Sequence, residues 1–541
     1  MSYPPFTPSP PHYLTLRKLG TETLIYGLSN ILGRLLNFVL VTYFISRLMS
    51  DVEFGIVGDL MFWTALLIAL LVFRMDTAVF RFASRAEYDG GAVFRRAQTW
   101  VIGGVVLVAG GLLLAAPWVA DWVNYPDRVV WVRLVLFTVA FDVLAMVPLA
   151  RLRLENRAWT FVAVNLGNVA INIVLIFLLL YVWRWNADWV AEHWGLRYDP
   201  LHQVTYYLVS IMAASAFRYL VLLIDGLRRR ETKEGAAPTL RTMLNYSTPL
   251  TVVAVAGIIN FLVAPAILKY YNGGAMEDNL GWSGQFNAAI KLAVVLNLFI
   301  TAYTYAAEPF FFRQAGKNLA TADKTIYADA TRAFGIVGAL ASAGILLYQP
   351  WLELMVGPGV RKGLVILPVL LAANFFFGLY SNFSIAYKLT DKTILGGAIA
   401  ATGSVIVLGG SILFTRTYSI YAPAVAMLVC FIVMCGLAWW VSRRYFPVDY
   451  PLGRILLYLL LTGAAVWLGA ELSPYQPLTH DPNFTLDPTI PFVDSVFRPD
   501  VGAGAGAIAV RTAVFLTLLL ALTGLEWNWL RRTFASSPSD G

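Results

Sequence analysis

Cysteine and histidine are scarce in this chain: two of the first and four of the second in 541 residues. Cys430 and Cys435 share one apolar block, where a spacing of five points them to different helix faces, so neither a disulfide nor a metal pair is expected. His12, His193, His202 and His480 are scattered outside the apolar blocks, which leaves no zinc, haem or redox centre to argue for. Charge is scarce too. Asp, Glu, Lys and Arg make up 13% of the chain, against roughly 25% in soluble domains, while 58% is hydrophobic. A water-soluble globule is therefore excluded. The formal charge of +8 comes from short basic clusters between apolar blocks, a pattern of membrane-flanking loops rather than of a nucleic-acid surface.

What is present is a series of apolar blocks, each about 20 residues long, enough for a helix to cross ~30 Å of hydrocarbon. Fourteen spans are predicted, near 22–46, 54–80, 98–120, 130–150, 160–182, 204–225, 244–270, 283–309, 329–348, 363–387, 394–415, 421–441, 454–472 and 508–530. The expected fold is an all-α polytopic membrane protein. Residues 1–13, rich in Pro and Ser, read as a disordered tail. The first block is too long for a signal peptide, contains Arg34 and lacks a small-residue cleavage site, so it reads as a retained helix. Placing the amino terminus inside puts more than half of the 40 Lys and Arg residues in inner segments, over twice the number outside. The positive-inside rule then predicts both termini in the cytoplasm. The loop 183–203, with four tryptophans, is expected to lie at headgroup level, and 473–507 reads as irregular.

Charges inside spans are costly, at least ~2.5–3.5 kcal/mol on insertion scales, and so point to partners or wet cavities. In the first span Asn30, Arg34 and Asn37 share one face, as interhelical glue or as a wet, anion-attracting surface. The second carries Arg74 and Asp76, which diverge on a helix, followed by Arg81, which can snorkel. Lys291 lies deep in the eighth span, one turn after Asn287, and Asn297, Thr301, Thr304 and Glu308 follow on another face. Asp142 is the most isolated acid. It reads either as a proton- or Na⁺-carrying carboxylate or as half of a pair with a neighbour such as Arg218. Asn165, Asn168 and Asn172 read as packing glue. Pro249 and Pro265, with Gly257 between them, make the seventh span the expected bending element. A faint repeat links Phe54-Gly55 to Leu280-Gly281-Trp282, each opening a long helix; a six-helix period would relate two halves about an axis along the membrane normal.

Several stretches carry a resemblance: Ile31-Leu32-Gly33-Arg34-Leu35-Leu36 with Phe54-Gly55, the run Met75-Asp76-Thr77-Ala78-Val79-Phe80-Arg81-Phe82, Glu155-Asn156-Arg157, and Ala306-Ala307-Glu308-Pro309-Phe310-Phe311-Phe312. In order and spacing they resemble the multidrug/oligosaccharidyl-lipid/polysaccharide (MOP) superfamily, nearest to its polysaccharide-biosynthesis or Wzx-type O-antigen flippases, over most of residues 15–450. That resemblance implies two six-helix lobes (14–230 and 231–445) around a central cavity, with two added helices in 446–541. It also implies cargo handling by alternating access, with Arg34, Arg74 and Lys291 on the lipid pyrophosphate. A glycine is commoner in the family where Arg74 stands, and charged residues are commoner in the seventh span, where this chain has Phe261 and Pro265.

The expected function is flipping of a polyprenyl-pyrophosphate-linked oligosaccharide across the bacterial inner membrane for surface polysaccharide synthesis. Arg34, Arg74, Lys291, Asn30, Asn37 and Asn287 are the expected substrate contacts. Asp76, Asp142 and Glu308 are candidates for coupling to H⁺ or Na⁺, and no metal or other cofactor is expected. Expected partners are the lipid-linked oligosaccharide, membrane lipids and other membrane proteins of polysaccharide assembly, not nucleic acid. One rival is a MATE-like small-molecule exporter, which favours acids over bases in its cavity. The other is a membrane glycosyltransferase or polymerase, which needs a catalytic acid or base outside; the first outer loop has only Asp51 and Glu53. A non-enzyme is the expected reading.

Overall fold

The computed structural model describes residues 32–33, 35–36, 38–195, 197–199, 202–228, 235–315, 323–390, 392–473 and 505–535. Among them, thirteen helices are long and apolar enough to cross a membrane, and the chain is a multi-pass membrane protein. They coincide with the second to fourteenth predicted spans. Most of the first span, the 1–13 tail and most of the 473–507 loop lie outside the described residues.

The described residues divide into two compact units. Unit 1 takes residues 51–284 together with the chain up to Val41. Its helices are α1 (Asp51–Val72), α2 (Met75–Ala83), α3 (Gly90–Gly104), α4 (Val129–Leu154), α5 (Ala158–Ile176), α6 (Gln203–Leu227), α7 (Leu240–Leu262) and α8 (Ala264–Tyr271). Asp51 and Glu53 occupy the first turn of α1, where carboxylates suit the positive end of a helix. The second predicted span is not one helix. Phe73 (φ 48°) and Arg74 (φ 52°) are both left-handed, which ends α1 and starts α2. In α7 the side chain of Thr239 caps the Thr242 N–H at 3.2 Å and Pro249 is carried within the helix. Pro265, which has no N–H to continue the ladder, sits in the first turn of the separate α8. The expected bend of the seventh span is thus a break at Val263, and Pro249 does not divide the helix.

Within unit 1, α6 lies along α4 and α5, and α1 packs on α4, α7 and α8. The repeat motifs meet here. A Cβ on Gly55 would run into the Leu280 carbonyl, and one on Gly284 into the Asp51 carbonyl, so the starts of two long helices cross backbone to backbone. Small residues permit such crossings in membranes. The helix runs on past α5 to Trp185, so the start of the expected 183–203 loop is helical, and Trp183 packs on Tyr198 and Tyr206. The short helix Ala187–Trp194 follows, with Trp189 half exposed.

Unit 2 takes residues 42–50 and 285 onward. α9 (Met276–Ala315) is continuous and enters it at Gln285. α10 (Thr325–Leu347), α11 (Leu367–Phe383), α12 (Thr393–Tyr418), α13 (Tyr421–Tyr445), α14 (Leu452–Leu472), α15 (Ala505–Leu525) and α16 (Trp527–Ala535) complete it. Outside the spans, Asp323 accepts the Thr325 hydroxyl and N–H before α10, and these bonds hold its carboxyl below the usual carboxylate range. α13 packs on α11 and α12, and the last two spans, α14 and α15, pack on α10. Glu526, fully buried after α15, accepts Arg454 Nη1 at 2.7 Å and Tyr458 OH at 2.5 Å from α14, with Arg332 of α10 at 3.6 Å. The segment 42–50 is tied in by Ser46, whose hydroxyl accepts the Gly357 N–H at 2.8 Å, and by Arg47, which donates to the Leu354 carbonyl.

Candidate functional site

Arg74 stands at the break between α1 and α2, half-buried, so the left-handed turn rather than a helix face sets its direction. Its Nε is shielded from solvent and makes no hydrogen bond among the described residues. The backbone carbonyl of Arg74 accepts the Ser247 hydroxyl of α7 at 3.4 Å, which ties the turn to its neighbour while leaving the side chain uncommitted. Asp76, two residues on, is half-buried with one carboxylate oxygen similarly unpartnered. The two form no ion pair among the described residues, although Arg74 sits in the left-handed turn before α2 rather than on a helix with Asp76. Arg81 is exposed and lies over the Tyr246 ring, 4.2 Å from its centroid, which fits the snorkelling reading.

Lys291 lies on α9 within unit 2, half-buried, and no hydrogen bond or ion pair of its ammonium is present among the described residues. Asn287, one turn earlier, is buried. Arg34, Asn30 and Asn37 lie outside the described residues.

Two of the three acid candidates are otherwise engaged. Asp142 is not isolated: α6 runs along α4 and brings Arg218 Nη2 to 2.5 Å from its carboxylate. Each charge neutralises the other, which corrects the free-acid reading in favour of the pair. Glu308 is bound by Lys388 of the short helix Ile385–Leu389, so it too has a fixed cation. Asp76 alone of the three carries no ion pair among the described residues.

The polar stripe on α9 is mostly self-contained. Thr301 and Thr304 return their hydroxyls to carbonyls one turn back, at 2.9 and 2.8 Å. Asn297 reaches Asn374 of α11 at 3.3 Å, and Tyr303 donates to Asn382 at 2.5 Å. On α5, Asn165 bonds its own helix and Asn172 accepts the Ser210 hydroxyl of α6, which is packing glue as read. Both cysteines are free and buried.

The sequence reading missed the deepest charge pair in unit 1. Lys269 of α8 donates to Asp59 of α1 at 2.8 Å, and both are fully buried. Tyr125 OH at 2.8 Å and Trp63 Nε1 at 3.1 Å complete the shell around the carboxylate, and Lys269 also donates to the Val123 carbonyl. The only signal was two opposite charges within predicted apolar blocks, 210 residues apart. Among the described residues no group of three His, Cys, Asp or Glu could hold a metal ion.

The model of a family described as polysaccharide biosynthesis protein matches residues 19–314. No curated protein matches the sequence. Among solved structures, the chain resembles the lipid II flippase MurJ in an inward closed conformation, with TM-score 0.62 at 14% identity, covering 93% of this chain and 98% of that one. It also resembles an inward-facing multidrug resistance MATE family transporter of the MOP superfamily, with TM-score 0.60 at 14% identity over 81% and 95% of the two chains. At that identity the likeness is one of fold, and it is the fold the sequence motifs implied.

Proposed function

Because the chain belongs to the polysaccharide biosynthesis protein family, we propose that it moves a polyprenyl-pyrophosphate-linked oligosaccharide from the inner to the outer leaflet of the bacterial inner membrane by alternating access. One observation carries this reading. The carboxylates of Asp59, Asp142, Glu308 and Glu526 each have a fixed cation. Arg74 and Lys291 are cations with no carboxylate bound among the described residues. An intramembrane cation left without a protein counter-charge suits a site that receives an anion from outside the protein.

The chemistry follows from that. A diphosphate and its sugars cannot enter hydrocarbon without replacement of their water, while the prenyl chain can stay in lipid. A guanidinium offers two parallel N–H donors to phosphate, and an ammonium a point charge with three donors. In this reading Arg34, Arg74 and Lys291 hold the diphosphate, and Asn30, Asn37 and Asn287 bond neighbouring oxygens. Vectorial movement requires two conformations that differ in affinity for cargo or for a coupling ion. Asp76 is the coupling carboxylate of this reading, since Asp142 and Glu308 are ion-paired. The chain is a carrier here rather than an enzyme. The excess of Lys and Arg in inner segments supports both termini lying in the cytoplasm.

The test is a deletion strain analysed by mass spectrometry of its lipid-linked sugars. Accumulation of an undecorated inner-leaflet pool of polyprenyl-pyrophosphate oligosaccharide is the expected result. Arg74→Ala and Lys291→Ala, expressed at wild-type level, each fail to clear it. Full complementation by either variant overturns the site. A second reading, a small-molecule exporter, draws on the fold shared with the MATE transporter; it predicts drug sensitivity in the deletion strain with no accumulated lipid-linked sugar.

A further inference from the structure

A cavity of about 370 Å³ opens at one end of unit 1 between α3, α4 and α6. The three helices reach the same membrane face there, because α3 begins where α4 and α6 end. Its wall has two chemistries. Ile102 and Leu223, 43% and 38% exposed, line the apolar part and face the space that acyl chains fill in a bilayer. Arg151, Asp225 and Gln98 line the polar part.

The polar part alternates in sign. Arg151 Nε donates to Glu155 at 2.8 Å and its guanidinium lies over the Phe94 ring. Arg157 grips Asp225 with two bonds, at 2.9 and 3.0 Å. Gln98 has a separate task. Pro148 has no N–H for the Leu144 carbonyl one turn back, and Gln98 Nε2 approaches that carbonyl at 3.4 Å instead. This leaves Gln98 Oε1, an acceptor shielded from water, with no hydrogen bond among the described residues. Unsatisfied buried acceptors are uncommon and call for a donor.

A small soluble ligand leaves the apolar wall unused, and a hydrocarbon leaves the acceptor and the arginines unused. The ion pairs at the cavity, Arg151 with Glu155 and Arg157 with Asp225, leave no net charge, so an anionic headgroup adds an uncompensated charge and a zwitterion adds none. An occupant that suits every part carries a phosphate for Arg151, an N–H-bearing cation for Asp225 and Gln98 Oε1, and an acyl chain for Ile102 and Leu223. We propose that this cavity seats a zwitterionic phospholipid with an ethanolamine headgroup, drawn from the surrounding leaflet. A choline headgroup has no N–H to give Gln98. The proposal is independent of the flippase reading, since nothing in it involves Arg74 or Lys291.

The test is lipid retention by the full chain, measured by native mass spectrometry after incubation in mixed micelles of phosphatidylethanolamine, phosphatidylglycerol and phosphatidylcholine in equal amounts. The wild type retains phosphatidylethanolamine in preference to the other two. Gln98→Leu, which removes the acceptor, lowers that retention about tenfold, the scale of a hydrogen bond to a charged group. Leu223→Trp, which fills the apolar wall, does the same. Val405→Trp, on the exposed surface of α12 in the other unit, leaves retention unchanged. Equal retention of the three lipids overturns the headgroup assignment, and unchanged retention in the cavity variants overturns the site. Should Leu223→Trp not run as a folded monodisperse protein, Gln98→Leu decides the question.

Discussion

Arg74 occupies a left-handed position, where a side chain beyond Cα crowds the backbone by about 1–2 kcal/mol and glycine does not. The strain and the charge can be separated by substitution. Arg74→Gly relieves the turn and removes the cation, so it is expected to raise the melting temperature in detergent while abolishing export. Arg74→Ala removes the cation but keeps the strained turn, so it loses export without the gain in stability. Thermal unfolding and lipid-linked sugar clearance, measured on both, check the pair. A variant Arg74→Gly that is no more stable than Arg74→Ala removes the case for strain. The Asp59–Lys269 pair gives the opposite balance. Asp59→Asn leaves the ammonium buried among Tyr125, Trp63 and the Val123 carbonyl with no counter-charge. Breaking one partner of a buried pair costs about 3–5 kcal/mol. The expected outcome is a large fall in melting temperature, partly restored when Lys269→Met is added, because the uncompensated charge is then gone.

Helices were legible in the sequence because each apolar block is as long as the hydrocarbon is thick; their interruptions were legible only in part. A left-handed turn at Phe73-Arg74 has no hydropathy signature, since hydropathy measures transfer free energy and not backbone angle. Pro265 did announce a break, but Pro249 sits inside α7 without one, so the residue type alone does not decide where a helix ends. The Gly55 and Gly284 crossing shows the converse. The paired motifs were visible as a faint repeat, yet only the fold shows that the two helix starts touch. Gly55→Ala is expected to destabilise strongly, because the added methyl meets a carbonyl oxygen of the backbone, which cannot rotate away. Gly257→Ala in α7 meets nothing within 4 Å and lies in a helix interior, so it is expected to stabilise by about 0.4–1 kcal/mol. Unfolding midpoints of the two variants, purified side by side, check the contrast.

Across the whole chain, the partners that neutralise the intramembrane charges lie far apart in sequence: 76 residues for Asp142 and Arg218, 80 for Glu308 and Lys388, 72 for Arg454 and Glu526. Depth in a span could be read from one sequence, but pairing is a tertiary fact, which is why Arg218 could be named only as one alternative for Asp142 and Glu526 was not singled out at all. The same long-range pairing explains how the last two spans belong to unit 2. α14 and α15 pack on α10, and Glu526 gathers Arg454, Tyr458 and Arg332 around one fully buried carboxylate, while Trp529 of α16 donates to Asp329 of α10 at 2.7 Å. These contacts make the added helices a clamp on α10 rather than a loose appendage. Glu526→Ala is therefore expected to leave two arginines and a tyrosine without their shared acceptor and to free residues 452–535 from α10. Limited proteolysis in detergent should then cleave the segment between α13 and α14 much faster than in the wild type, with cleavage within α3 to α6 unchanged because those helices lie in unit 1. Equal cleavage of both chains after α13 would mean that apolar packing alone holds α14 and α15 in place, and that the carboxylate is not what fastens them.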